Sequence, residues 1–252
     1  MKGGIYQQML HKKARNQKSL AVLLDPDYFT EAAELDRYCK MLAKYPPDLL
    51  LFGGSLVNST DAASLVRQLK RELRQPVVLF PGDHTHIVEE ADGILLLSLI
   101  SGRNPEYLIG QHVLAAHQLK ASGLEILPTG YMLVDCGSQT TAHYVSQTLP
   151  LPGHKPRIAA ATALAGEQLG LKLMYLDGGS GSKFTVDPEM VRQTVGVLEV
   201  PLIAGGGIRT CSDARCLWQA GADVLVVGTA IEHNTGILPE MLQLRDQLNK
   251  GS

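Results

Sequence analysis

The sequence has no CxxC pair among its four cysteines, Cys39, Cys136, Cys211 and Cys216. A chain of 252 residues with so few cysteines is not a small disulfide-stapled domain, so reduced thiols in a cytoplasmic setting are expected. No apolar run approaches the ~20 residues needed to span a bilayer; the longest, such as Ile94–Leu97, fall far short. The N-terminal stretch MKGGIYQQMLHKKARNQKS lacks the apolar core of a signal peptide. Excess charge is missing too. A formal net charge of −2 gives no reason to expect a nucleic-acid partner. Low-complexity segments, linkers and internal repeats beyond a strand–helix alternation are also absent. What remains is 45% hydrophobic and 19% charged residues, an ordinary globular composition. The length fits one large domain or two small ones; it is enough to bury a sizeable core, and with no linker a single domain over 1–252 is expected.

Short, continuous apolar runs recur along the chain. They are Leu20–Leu24, Leu49–Phe52, Val77–Phe80, Ile94–Leu97, Glu125–Leu127 leading into Tyr131–Val134, Leu173–Leu176, Leu202–Ala204 and Val224–Val227. Unbroken apolar runs are what strands buried on both faces look like. Between most of them lie helical patterns: Thr30–Lys44 with a Thr N-cap, Ser64–Leu73, Glu106–Ser122, Ala159–Leu169, Pro188–Leu198, Ser212–Ala220 and Leu238–Leu248. Eight strands alternating with helices in this length predict a TIM-type (β/α)8 barrel. One unit is short. Only Asp83–Asp92 separates the third run from the fourth, too little for an ordinary crossover, so the third helix is expected to be missing or replaced by a short loop. Asp135–Arg157, rich in Pro, Gly and Ser, reads as a long loop after the fifth strand.

Active sites of such barrels lie at the C-terminal ends of the strands. Those ends carry Asp25-Pro26-Asp27, Gly53-Gly54-Ser55, Pro81-Gly82-Asp83, Tyr175-Leu-Asp-Gly-Gly-Ser-Gly181, Gly205-Gly206-Gly207 and Gly228-Thr229. The last two endings form a phosphate signature: backbone N–H groups at Gly206, Gly207, Gly228 and Thr229 can cradle an anion at a helix N-terminus. The bland alternative is tight turns only. Asp25 and Asp27, with the Ser55 hydroxyl, suit Mg²⁺, an ion held by few oxygen ligands plus substrate oxygens; the same Leu-Asp-Pro-Asp could equally be a turn with one Asp as a cap. Asp83-His84-Thr85-His86 has no obvious third ligand and reads as surface rather than zinc. Cys211 and Cys216 are expected to pack, and Trp218, the only tryptophan, to pack or meet a partner. Tyr175, beside Asp177, is placed as a substrate contact.

These motifs carry a resemblance. Leu23–Asp27, Phe52–Ser55, Tyr175–Gly181, Ala204–Arg209 and Val226–Glu232, in this order, resemble the geranylgeranylglyceryl phosphate synthases and their relatives, including heptaprenylglyceryl phosphate synthase. The resemblance covers nearly the whole chain and implies a modified barrel lacking its third helix. It implies a prenyltransferase: the 3-hydroxyl of sn-glycerol 1-phosphate attacks C1 of a prenyl diphosphate, geranylgeranyl diphosphate favoured, and expels pyrophosphate. By the resemblance, Asp25 and Ser55 bind Mg²⁺. Tyr175, Leu176, Asp177, Gly178, Gly179, Ser180 and Gly181, with Gly206, Gly207, Gly228 and Thr229, hold glycerol 1-phosphate, and Asp177 and Tyr175 are catalytic. Asp177 stands where the family usually has Glu, Leu23 where the heptaprenyl relatives have Lys, and Gly228-Thr229 replaces a common Gly-Asn. The last two departures favour the archaeal-like branch. The family also contains dimers and larger assemblies, which implies a homo-oligomer. The alternatives are a heptaprenyl-specific glyceryl phosphate synthase, another phosphate-binding barrel enzyme, such as a sugar-phosphate isomerase, and a phosphometabolite binder. An aldolase would need a strand-end lysine, and none is there.

Overall fold

The computed structural model describes residues 3–29, 32–54 and 61–251. Ser55 and Thr30 lie outside the described residues. The chain order is α1 (Ile5–Ala14), β1 (Ser19–Leu24), α2 (Ala32–Lys44), β2 (Leu49–Gly53), α3 (Ala62–Glu72), β3 (Val77–Phe80) and β4 (Gly93–Leu99). Then come α4 (Gln111–Ser122), β5 (Glu125–Leu133), α5 (Thr141–Ser146), α6 (Pro156–Gln168), β6 (Leu173–Asp177) and α7 (Pro188–Val195). The chain ends with β7 (Leu202–Gly205), α8 (Cys211–Gln219), β8 (Val224–Val227), α9 (Thr229–His233) and α10 (Ile237–Lys250). The eight strands close into one parallel barrel in sequence order, and β1 pairs with β8 from Ser19↔Val224 to Val22↔Val227.

Most of the strand residues are buried on both faces, which explains the unbroken apolar runs; in β4, Leu96, Leu97 and Ser98 are half-buried. Side chains alternate along each strand. Leu49 and Leu51 of β2 point into the barrel with Val78, Leu127, Tyr131, Leu133 and Tyr175. Leu50 and Phe52 point outward with Leu79, Met132 and Leu176, against the helices. Trp218 sits in this outer layer, 1% exposed, so it packs against the barrel. Cys211 is half-buried and packs there too; Cys216, one turn on, is exposed, contrary to the packing expected for it. Its position on α8 turns it away from the barrel.

No helix forms between β3 and β4. Residues 81–92 make a chain of turns, in which Asp83 accepts the Thr85 N–H and His86 Nδ1 accepts the Gly82 N–H. The two apolar runs of the fifth unit are one strand, β5. The long segment after it carries the short helix α5, entered through a Thr140/His143 capping box. Among the described residues no helix is long and apolar enough to cross a membrane.

Helix α1 has no counterpart in the apolar pattern, because it shows only Ile5 and Met9 to the barrel. It closes the end of the barrel opposite the strand C-termini. Glu125, at the start of β5, accepts the N–H groups of Ile5 and Tyr6 at 2.5 and 2.9 Å, standing in for an N-cap. Asp48 accepts the Leu20 N–H and pairs with Lys12 at 2.5 Å and Arg245 at 2.7 Å. It thereby joins α1, β1 and α10 at one point. Burial pushes the Asp48 pKa up, but Lys12 and Arg245 outweigh it and the net shift is downward. A lowered carboxylate pKa adds stability above the ordinary aspartate range and loses it as pH falls through that range. Asp48→Asn is expected to cost roughly 1–3 kcal/mol at pH 7, a few degrees of Tm, with the gap to wild type closing below about pH 4. Thermal melts at both pH values check this.

Candidate active site

The C-terminal ends of the strands enclose a cavity of about 570 Å³. Asp25, Tyr175, Asp177, Gly179, Ser180, Gly181, Gly206, Gly207, Gly228 and Thr229, all named from the sequence, line it together. Two do not. The Leu176 side chain faces the helices, as alternation along β6 requires, so Leu173, Tyr175 and Asp177 of this strand point inward, and only the last two reach the cavity. Gly178 is taken up in the turn, its N–H donated to the Gly205 carbonyl at 3.1 Å.

The glycines are steric necessities. Gly206 and Gly207 have φ of +83° and +70°, which side chains rarely adopt. A methyl on Gly206 would lie 2.7 Å from the Gly179 nitrogen; one on Gly207 would strike the Phe184 carbonyl. The loop after β6 therefore lies directly on the turn after β7. Arg209 fastens the two by donating to the carbonyls of Lys183 at 2.9 Å and Ser182 at 2.5 Å. Ser180 Oγ lies 3.2 Å from Thr229 Oγ1, linking the β6 loop to the start of α9.

Asp177 is the most enclosed acid, 5% exposed. Its Oδ1 accepts the Gly179 N–H at 2.7 Å and its Oδ2 accepts the Tyr131 hydroxyl at 2.6 Å. Burial raises its pKa against the pull of these two hydrogen bonds and of His143. Tyr131 and Tyr175 are held well above the usual tyrosine range by burial and by the Asp177 charge, so both stay neutral phenols. The rings of Phe80, Tyr131 and Tyr175 form one cluster with centroids 5.4–5.8 Å apart. Burial pushes the nearby Cys136 thiol up to about 12, which leaves it no thiolate for nucleophilic work.

At the other wall Asp25 caps the turn Pro26–Tyr28, its Oδ1 accepting the Asp27 N–H at 3.0 Å. The capping alternative is thus realised, and the other oxygen, Oδ2, faces Gly54. Burial raises the Asp25 pKa and so does the Asp27 charge. Glu232 of α9 is raised by burial and then by Asp25. Among the described residues no three His, Cys, Asp or Glu side chains form a complete metal site. The set fits an ion held by one or two carboxylates and completed by a ligand's oxygens. These are hard oxygen donors in a cavity where negative groups raise one another.

A second, largely apolar cavity adjoins the first. Gly54, Phe80, Tyr131 and Ala142 line both. From there it runs past Leu97, Leu99 and Leu133 to Ile94, Leu96, Ala115 and Leu119, beneath α4 and Ile87 of the helix-free connection.

The PcrB family profile matches residues 12–245. The chain belongs to the PcrB family. Within the PcrB family it is 49% identical over 241 residues to a geranylgeranylglyceryl phosphate synthase of Spirosoma linguale, covering 94% of this chain and 95% of that one. It is 41% identical to the synthase of Thermococcus kodakarensis, over 100% and 98% of the two chains. The crystal structure of (S)-3-O-geranylgeranylglyceryl phosphate synthase from Thermoplasma acidophilum, in complex with sn-glycerol-1-phosphate, superposes with a TM-score of 0.89 at 32% identity, over 99% and 100% of the chains. The modified barrel and the membership read from the motifs both hold, and this PcrB chain is an enzyme.

Sequence reasoning overlooked four residues of this PcrB site. In the sequence Tyr131 stands only within a strand run; the signal that marks it is its inward phase on β5, shared with Leu133. Phe80 ends its strand in the same way. Glu232 and Arg209 lie within quoted motifs but outside the glycine pattern. Gly206→Ala combines a disfavoured φ with a backbone clash. It is expected to lower stability by about 1–3 kcal/mol and to weaken binding of inorganic phosphate at least tenfold, measured by melting and by titration calorimetry.

Proposed function

We propose that this chain is an Mg²⁺-dependent prenyltransferase that joins sn-glycerol 1-phosphate to geranylgeranyl diphosphate through an ether, releasing pyrophosphate. One observation carries the reading: a polar, glycine-walled cavity and an apolar channel meet at Phe80 and Tyr131. A small-molecule isomerase has no use for the channel. The names of the relatives, and the substrate in the Thermoplasma acidophilum crystal structure, agree with it.

The channel follows from the missing helix. With only turns between β3 and β4, a hollow lined by Ile94 and Leu96 remains between the outer face of β4 and α4, which a lipid chain would fill. Burying a prenyl tail there gains about 0.8 kcal/mol per methylene-sized group. The backbone at Gly206, Gly207, Gly228 and Thr229 would hold the glycerol phosphate, as the loops after the last strands of such barrels do. Ser180 and Thr229 add hydroxyl donors at the rim. Asp25, with Ser55 outside the described residues and Glu232 close by, would hold Mg²⁺, whose chemistry is to neutralise the diphosphate and ease its departure. Four carboxylates, Asp25, Asp27, Asp177 and Glu232, line the polar cavity; without a cation they would repel a diphosphate. Asp177, enclosed and raised in pKa, is suited to accept the proton of the attacking hydroxyl. Tyr175 stacks beneath Phe80, with ring planes 22° apart, and helps keep that junction free of water. A homo-oligomer in the cytoplasm, like other members, completes the proposal.

The test is turnover: labelled sn-glycerol 1-phosphate should enter the organic phase with geranylgeranyl diphosphate and Mg²⁺, and not with EDTA or with sn-glycerol 3-phosphate. Asp25→Ala should abolish turnover while the melting curve stays cooperative; full activity in this variant would rule out its metal role. Ala115→Phe fills the channel and should lower kcat/KM for geranylgeranyl relative to farnesyl diphosphate by roughly tenfold, the rate equivalent of about 1.4 kcal/mol.

A further inference from the structure

Both oxygens of Asp177 already accept hydrogen bonds, one from the Gly179 N–H and one from the Tyr131 hydroxyl. Asp177 lines the polar cavity only, whereas Tyr131 lines both cavities. The new ether bond must form where a glycerol hydroxyl from one side meets a prenyl carbon from the other. That place is at Tyr131. Asp177 is set back from it by one phenol.

Resting on the synthase reading, we propose that Tyr131 is a catalytic residue that relays the proton of the attacking hydroxyl to Asp177. A phenol can donate one hydrogen bond while accepting another. Its hydroxyl donates to Asp177 Oδ2 at 2.6 Å, and its oxygen lone pairs remain to accept the substrate O–H. As the glycerol oxygen bonds to C1, the C1–diphosphate bond breaks and its electron pair leaves with pyrophosphate. The hydroxyl proton moves to the Tyr131 oxygen, and the Tyr131 proton moves to Oδ2. Asp177 ends as a carboxylic acid, and Tyr131 is neutral before and after. Two features of the site support this order. The Tyr131 ring is fixed edge-on to Phe80 and Tyr175, at interplanar angles of 74° and 86°, so its hydroxyl cannot swing away. The Gly179 N–H pins the far oxygen of Asp177, which keeps Oδ2 turned to the phenol.

The experiment is a single-turnover measurement, enzyme in excess over geranylgeranyl diphosphate, with labelled sn-glycerol 1-phosphate in mixtures of H₂O and D₂O. The wild-type rate should fall along a bowed curve with deuterium fraction, because two protons move together. Tyr131→Phe keeps the ring cluster. It should slow the step about a hundredfold or more and give a plot no longer bowed. Its affinity for sn-glycerol 1-phosphate by calorimetry should stay within about threefold, which also reports that it is folded. A wild-type plot linear in deuterium fraction, or a Tyr131→Phe variant at the wild-type rate, overturns the relay and leaves the synthase reading standing. A wild-type protein that makes no product under any of these conditions overturns the synthase reading, and the relay with it.

Discussion

A parallel barrel must cover both faces of every strand, and between β3 and β4 this chain has only residues 81–92 with which to do so. That stretch is too short to run back along the barrel as a helix and return. The outer surface of β4 is consequently roofed by α4 and by a run of turns, and an apolar hollow remains beneath them. The rest of the site follows from this omission. The hollow reaches the top of the barrel next to Phe80 and Tyr131, where it joins the glycine-walled cavity built by β6, β7 and β8. Two environments of opposite polarity share a wall of four residues. In the proposed reaction, which joins a lipid to a phosphorylated polyol, the reacting atoms would meet at that wall.

The opposite end of the barrel has a different task. There Glu125, Asp48, Lys12, Lys13, Asp223 and Arg245 tie α1 and α10 to the strand starts through buried or half-buried polar contacts. None of these residues lines either cavity at the top. Stability and chemistry are thus separated along the barrel axis, as is general in this fold.

Much of this was legible in the sequence, because its signals were local and repetitive. Continuous apolar runs set the strands, and the short Asp83–Asp92 spacer foretold the lost helix. Glycines directly after strands marked the cradle, since positive φ and close backbone approach leave few other residues possible. Other features depended on information that a linear string does not carry. Leu176 sits within a motif of site residues yet faces outward, because pleating alternates neighbours regardless of motif. Helix α1 escaped notice because it contacts the barrel end-on through only two buried residues. The Tyr131–Asp177 bond joins positions 46 apart in sequence and exists only once β5 and β6 are in register. Cys216 is exposed because its angular position on α8 lies off the buried stripe of Ala214, Leu217 and Trp218, which spacing alone does not separate.

The hydroxyl contact between Ser180 and Thr229 spans from the loop after β6 to the helix after β8, passing over the turn after β7. Arg209, from that intervening turn, holds the carbonyls of Ser182 and Lys183. Three successive strand endings are therefore stitched into a single rim, and none can lift without breaking a contact to another. Such a rim is expected to open as one unit, with amide protons along it exchanging through a shared opening rather than loop by loop. Asp177 at the end of β6 and the glycine turns after β7 and β8 sit on three segments of this one rim, so they are assembled or lost together.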